Sequence, residues 1–158
     1  VLELGMSGDH GTERGTRPVL AGGAVVASLH ASNWKEAATA QVGERVWLFS
    51  KDGRELTGRL AADPAGAVRV RARHTSWWRD TWAVELDGMP VEVATASWWR
   101  GTHRYTSGGR LVAQSGTTGR WSPRPTLAAD PALPLHSQVF LLWLELVLMR
   151  RSAAAAGA

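Results

Sequence analysis

Two rhythms divide the chain. From about residue 24 to 127, apolar and polar residues alternate in short runs broken by Gly and Asp, with Val25, Val26, Thr39, Val42, Val46, Trp47 and Phe49 opening the stretch. Alternation with a period of two, bounded by turn residues, predicts half-buried β-strands, here about nine to eleven of them. From Val139 to Met149 the alternation stops, and every position is apolar except Glu145. This run predicts a helix over about 134–151. Pro134 suits its first turn, and Arg150-Arg151 suit its carboxyl end, where cations meet the negative pole of the helix dipole.

Three dipeptides mark hairpin turns: Asp52-Gly53, Asp87-Gly88 and Gly108-Gly109. A tight two-residue loop that follows the twist of its strands takes positive φ at both central positions, which Gly and Asp tolerate. With Asp87-Gly88 as the loop, Leu86 opposes Met89, Val84 opposes Val91 and Trp82 opposes Val93. All six are apolar and share one face, while Glu85 and Glu92 take the other. Asp52-Gly53 used in the same way sets Phe49 opposite Leu56. The segment Ser76-Trp77-Trp78-Arg79 recurs 21 residues later as Ser97-Trp98-Trp99-Arg100, and the same shift carries Val84 onto Tyr105, Gly88 onto Gly109 and Val91 onto Val112. Such a repeat describes successive hairpins of one antiparallel meander that closes a sheet or barrel.

A helix that is apolar on every side must be surrounded by apolar material. A membrane span needs about 20 apolar residues, roughly twice this run. Glu145, near the middle, would cost a few kcal/mol in lipid. Burial inside the protein is therefore the leading expectation, with a membrane tail anchor or a dimerisation helix as alternatives. Residues 1–23, with six glycines among charged residues, read as a flexible leader ahead of one domain over 24–151, and 152–158 as a flexible tail. A rival reading takes Arg14, Arg17 and the run Val19 to Leu29 as parts of a secretion signal. Glu3, Asp9, Glu13 and the two glycines inside the run oppose it.

The 158 residues make one ordinary domain. The lack of cysteine removes disulfides, thiolate metal sites and cysteine nucleophiles. His10, His30, His74, His103 and His136 are too far apart for a local metal motif. No Gly-x-Ser-x-Gly elbow, Walker loop or dinucleotide fingerprint occurs. The expectation is a non-enzymatic binding module with no catalytic residue, cofactor or metal. His136 reads as a polar group at the helix start. Glu145, once buried, must pair with an arginine or stay protonated, and a structural ion pair is the plainer of the two.

The remaining chemistry is basic and aromatic. Net charge is +4, and nine tryptophans stand against two phenylalanines and one tyrosine. Val68-Arg69-Val70-Arg71-Ala72-Arg73 alternates, so a strand would turn Arg69, Arg71 and Arg73 outward in one row. Trp78 and Arg79 follow closely, and Trp99, Arg100 and Arg104 lie one repeat further on. In each Trp-Trp pair one ring is expected inward and the other outward. Arginines beside tryptophans suit three roles: packing within the protein, an anionic lipid or phosphate surface, or single-stranded nucleic acid.

A meander with a buried helix also suits a barrel curled around that helix. The turn-Gly hairpins followed by Leu133-Pro134-Leu135-His136-Ser137-Gln138-Val139-Phe140-Leu141-Leu142-Trp143 resemble the tubby C-terminal-like superfamily. More narrowly, they resemble the bacterial relatives of the plant LURP-one and phospholipid-scramblase proteins. The resemblance covers residues 40 to 151 and lies in architecture more than in diagnostic motifs. It implies a mainly β barrel around a hydrophobic C-terminal helix and a role at anionic phospholipid headgroups. On that expectation the protein is cytoplasmic and peripheral to a membrane. Arg69, Arg71, Arg73, Arg79 and Arg100 would hold phosphates, Arg104 would stand beside them, and Trp78 and Trp99 would sit at the interface.

Overall fold

Twelve strands and one long helix account for most of the chain, in a computed structural model that describes every residue except Trp77 and Ala158. The strands are β1 (Leu2–Leu4), β2 (Arg17–Ala21), β3 (Ala24–Ala31), β4 (Ala37–Val42), β5 (Arg45–Asp52) and β6 (Glu55–Leu60). They continue as β7 (Val70–Ser76), β8 (Thr81–Leu86), β9 (Met89–Ser97), β10 (Thr102–Ser107), β11 (Arg110–Thr118) and β12 (Arg124–Ala129), before helix α1 (Leu135–Ala156). Each strand pairs antiparallel with its sequence neighbours, and β1 bridges β2 and β12, closing a barrel.

The closing strand comes from the segment read as a flexible leader, and that expectation is corrected. Leu2 and Leu4 point into the core, and Leu2 stands opposite Leu127 of β12 and Ala21 of β2. The glycines there are turn residues: Gly22 and Gly23, at φ 57° and 83°, join β2 to β3. The run offered as a secretion signal forms β2 and β3 of the same barrel. These strands raise the count above the nine to eleven expected.

The hairpins test turn chemistry directly. At Asp87-Gly88 the φ angles are 50° and 86°, and the three predicted pairs Leu86–Met89, Val84–Val91 and Trp82–Val93 all form. Gly108-Gly109 behaves alike, with Ser107 opposite Arg110. The first hairpin is slipped: its loop is Gly53-Arg54, only Gly53 has positive φ (62°), and Asp52 pairs with Glu55. A two-residue turn of the II′ kind places its glycine first rather than second. Phe49 consequently opposes Gly58, and Leu56 opposes Lys51. Gly58 is required here, since a β-carbon would stand 2.8 Å from the Phe49 ring and 2.5 Å from Val70.

Helix α1 threads the interior. Val139 through Val147 are all buried, and nine successive residues at about 100° each face every direction. The helix touches β12, β1, β4 and β7, and β7 lies across the ring from β1. Phe140 and Trp143 meet Phe49 at 5.3 Å each. The tail-anchor and dimer-helix alternatives fail for this reason: the barrel wall already covers the apolar surface. Among the described residues no helix is long and apolar enough to cross a membrane. The helix also runs on to Ala156, so most of the expected flexible tail is its last turn; Ala158 lies outside the described residues.

Neighbour-to-neighbour topology sorts the connections by parity. Those after β1, β3, β5, β7, β9 and β11 share one rim with the carboxyl end of α1. Those after β2, β4, β6, β8, β10 and β12 share the other rim with its start.

Candidate functional site

Tryptophan distribution singles out the first rim. Trp47, Trp82 and Trp143 are buried, whereas Trp34, Trp78, Trp98, Trp99 and Trp121 are 71–98% exposed. The exposed five sit after β3, β7, β9 and β11, all on the rim where α1 ends. Trp98 and Trp99 stack on each other with centroids 4.1 Å apart, and both face outward. The expected inward–outward split fails for this pair because it lies in a loop, where strand alternation does not apply. Its counterpart Trp77 lies outside the described residues.

The expected arginines do not form one patch. Trp78 and Arg79 follow β7, and Trp99 and Arg100 follow β9, on adjacent connections of the tryptophan rim. Arg71 and Arg73 lie on the outer wall of β7, with Arg71 paired to Glu55 at 3.6 Å. Arg69 lies ahead of that strand on the opposite-rim connection, where Asp63 takes it at 3.0 Å. Arg104 faces outward from β10, three strands round from β7. Antiparallel alternation explains the outcome: a row along a strand runs from rim to rim rather than gathering at either.

A different guanidinium cluster appears on the tryptophan rim. Arg17 opens β2 and Arg124 opens β12, the two neighbours of β1, and Arg150 lies near the end of α1. Burial lowers the pKa of Arg17, and the charges of Arg150 and then Arg124 lower it further. No acidic side chain among the described residues pairs with Arg17. Arg124 donates to Glu3 at 3.1 Å, and Arg150 donates to the Ser32 carbonyl at 2.8 Å.

Beneath this rim a chain of polar side chains descends into the core. Glu145 on α1 is buried, and its partner is not the arginine anticipated. The Tyr105 hydroxyl donates to its Oε1, and His103 Nδ1 stands 3.0 Å from both carboxylate oxygens. This contact places the proton on Nδ1 and turns Nε2 toward Asp80, 3.8 Å away, whose other oxygen meets His74 Nε2 at 3.3 Å. Asp80 holds a left-handed backbone, φ 48°, which is uncommon outside glycine. Burial alone would depress the His103 pKa, but the hydrogen bond and charge of Glu145, helped by Asp80, carry it above the ordinary imidazole value. Burial first, then the charge and hydrogen bond of Glu145, push the Tyr105 phenol well above its usual value, so it remains a donor.

His74, Asp80, Trp98, Trp99, Arg100, His103 and the α1 residues Leu148, Met149, Arg151 and Ser152 line a cleft of about 750 Å³. An imidazole oriented by a buried carboxylate can store or pass a proton. Among the described residues no hydroxyl hydrogen-bonds His103 Nε2, and no three metal-ligating side chains converge. His136 does sit at the helix start, stacked on Trp47 at 4.4 Å and bound to Asp87 at 2.6 Å. His103 and Arg17 escaped sequence reasoning. His103 had a signal, because the 21-residue shift aligns it with the inward Trp82. Arg17 had none while its segment read as a leader. Comparison with family models, curated proteins and solved structures yields no match to this chain.

Proposed function

We propose that this protein is a binding module that docks its tryptophan rim on an anionic phospholipid surface. The observation that carries the reading is the gathering of all five exposed, described tryptophans on one rim. Indole rings favour the boundary between water and hydrocarbon, being apolar in body with one polar N–H. Arg79 and Arg100 lack acidic partners among the described residues and would meet lipid phosphates, with Arg17 and Arg150 elsewhere on the same rim. The wall residues Arg69, Arg71, Arg73 and Arg104 would act at most through long-range attraction. A barrel around a hydrophobic helix also supports placing the chain among the tubby-like proteins, for which headgroup binding is the natural expectation.

Co-sedimentation with vesicles tests this. Phosphatidylserine-containing vesicles should retain the protein at low salt, with a blue shift of tryptophan emission, and pure phosphatidylcholine should retain much less. Equal retention on both would overturn the reading. Quenching by a single-stranded oligonucleotide without vesicle binding would transfer the rim to nucleic acid.

A further inference from the structure

The opposite rim holds a feature unrelated to membrane docking. Helix α1 starts at Pro134, which offers no side-chain acceptor, and no side chain caps its first turn. The first backbone bond there runs from Gln138 N–H to the Pro134 carbonyl at 3.1 Å. The amides of Leu135, His136 and Ser137 are thus left as donors, as the first turn of any helix leaves them. Next to Pro134 and Ser137 lies a pocket of about 160 Å³ whose apolar lining includes Leu86, Met89, Val112 and Leu133. Ser137 lines the same pocket, is fully buried, and its hydroxyl has no hydrogen-bond partner among the described residues. Burying an unpaired hydroxyl is unfavourable, so a polar partner drawn from solution would stabilise the site.

The electrostatics select the sign of that partner. Two acids line the pocket and each has a partner, with His136 2.6 Å from Asp87 and Arg110 2.6 Å from Asp130. Beside these pairs stand the positive pole of a 22-residue helix and the Ser137 hydroxyl, donors that suit an anionic oxygen. The volume sets the size, because a comparable apolar cavity of about 150 Å³ accepts a benzene ring.

We propose that this pocket binds a short-chain monocarboxylate of about six non-hydrogen atoms. Its carboxylate would rest on the Ser137 hydroxyl and backbone amide, and its alkyl end on Leu86, Met89 and Val112. Sodium butanoate is the probe, read by calorimetric titration and by its effect on Tm against equal sodium chloride. The wild-type chain should bind butanoate and gain Tm, with butan-1-ol bound at least tenfold more weakly. Ser137→Ala should weaken butanoate binding at least tenfold, and because it removes a buried unpaired hydroxyl it should fold at least as stably. Val112→Phe, which fills the pocket, should abolish binding. No binding by the wild-type chain, or binding equal to wild type in Ser137→Ala, would overturn the proposal and leave the pocket to water.

Discussion

The two rims are built from the same strands yet differ in almost every respect. Four of the connections around the helix start are two-residue turns, at Gly22-Gly23, Gly43-Glu44, Asp87-Gly88 and Gly108-Gly109. Gly53-Arg54 apart, the rim at the helix end carries longer connections, with the exposed tryptophans, the strained Asp80 and the His103–Glu145 pair. One rim ties strands together at least cost in chain; the other uses its extra residues to present side chains. Loops held by a rigid scaffold are where binding residues concentrate. The contrast thus separates residues whose loss should unfold the molecule from residues whose loss should only silence it.

Four changes test that separation, taken from the strongest to the weakest. Phe140→Ala hollows the core where Phe140 meets Phe49 and Trp143 and should cost about 3–5 kcal/mol in urea denaturation, with faster hydrogen exchange not confined to either rim. Glu145→Leu strips His103 of its buried partner, and breaking such a pair costs about 3 kcal/mol. That loss should be largest near pH 6 and shrink by pH 9, with faster exchange confined to the tryptophan rim. The sign follows from the raised His103 pKa. Its stabilising contribution is complete below the unfolded imidazole value, about 6.5, and fades as pH climbs through the higher folded value. The wild-type chain should accordingly lose stability over that rise, and the variant's profile should be flatter.

Trp99→Ala should leave the denaturation midpoint within about 0.5 kcal/mol of wild type. It should lower partitioning onto phosphatidylserine vesicles roughly fivefold to tenfold, on the order of 1 kcal/mol. A large stability loss there would mean that the rim is structural and the contrast false. Gly88→Ala is the mirror case: its φ of 86° strains any side chain. A cost of about 1 kcal/mol is expected, with vesicle binding unchanged.

Much of the scaffold was legible in the amino-acid order because β-structure writes itself locally. The Asp87-Gly88 register needed only alternation and turn chemistry, and the helix needed only its unbroken apolar run. The slipped Gly53-Arg54 hairpin shows the limit: two turn types compete for one glycine, and packing of Phe49 over Gly58 decides between them. Strand β1 was hidden because Leu2-Glu3-Leu4 is too short to stand out, and it owes its existence to partners over 100 residues away. The site was less legible still. Arg69 through Arg73 gave a strong local pattern that the barrel spreads along its wall. Glu145, His103 and Arg17 acquire their surroundings only when the ring closes around α1.

The rod that fills the cylinder is synthesised after all twelve strands that surround it. Twelve strands must leave the ribosome before their common interior has anything to pack against, and β1 must wait for β12. Early intermediates would then be hollow, greasy and open at a seam, the kind of species that chaperones shield. Folding should be slow and all-or-none, set by the arrival of the plug rather than by the speed of any hairpin.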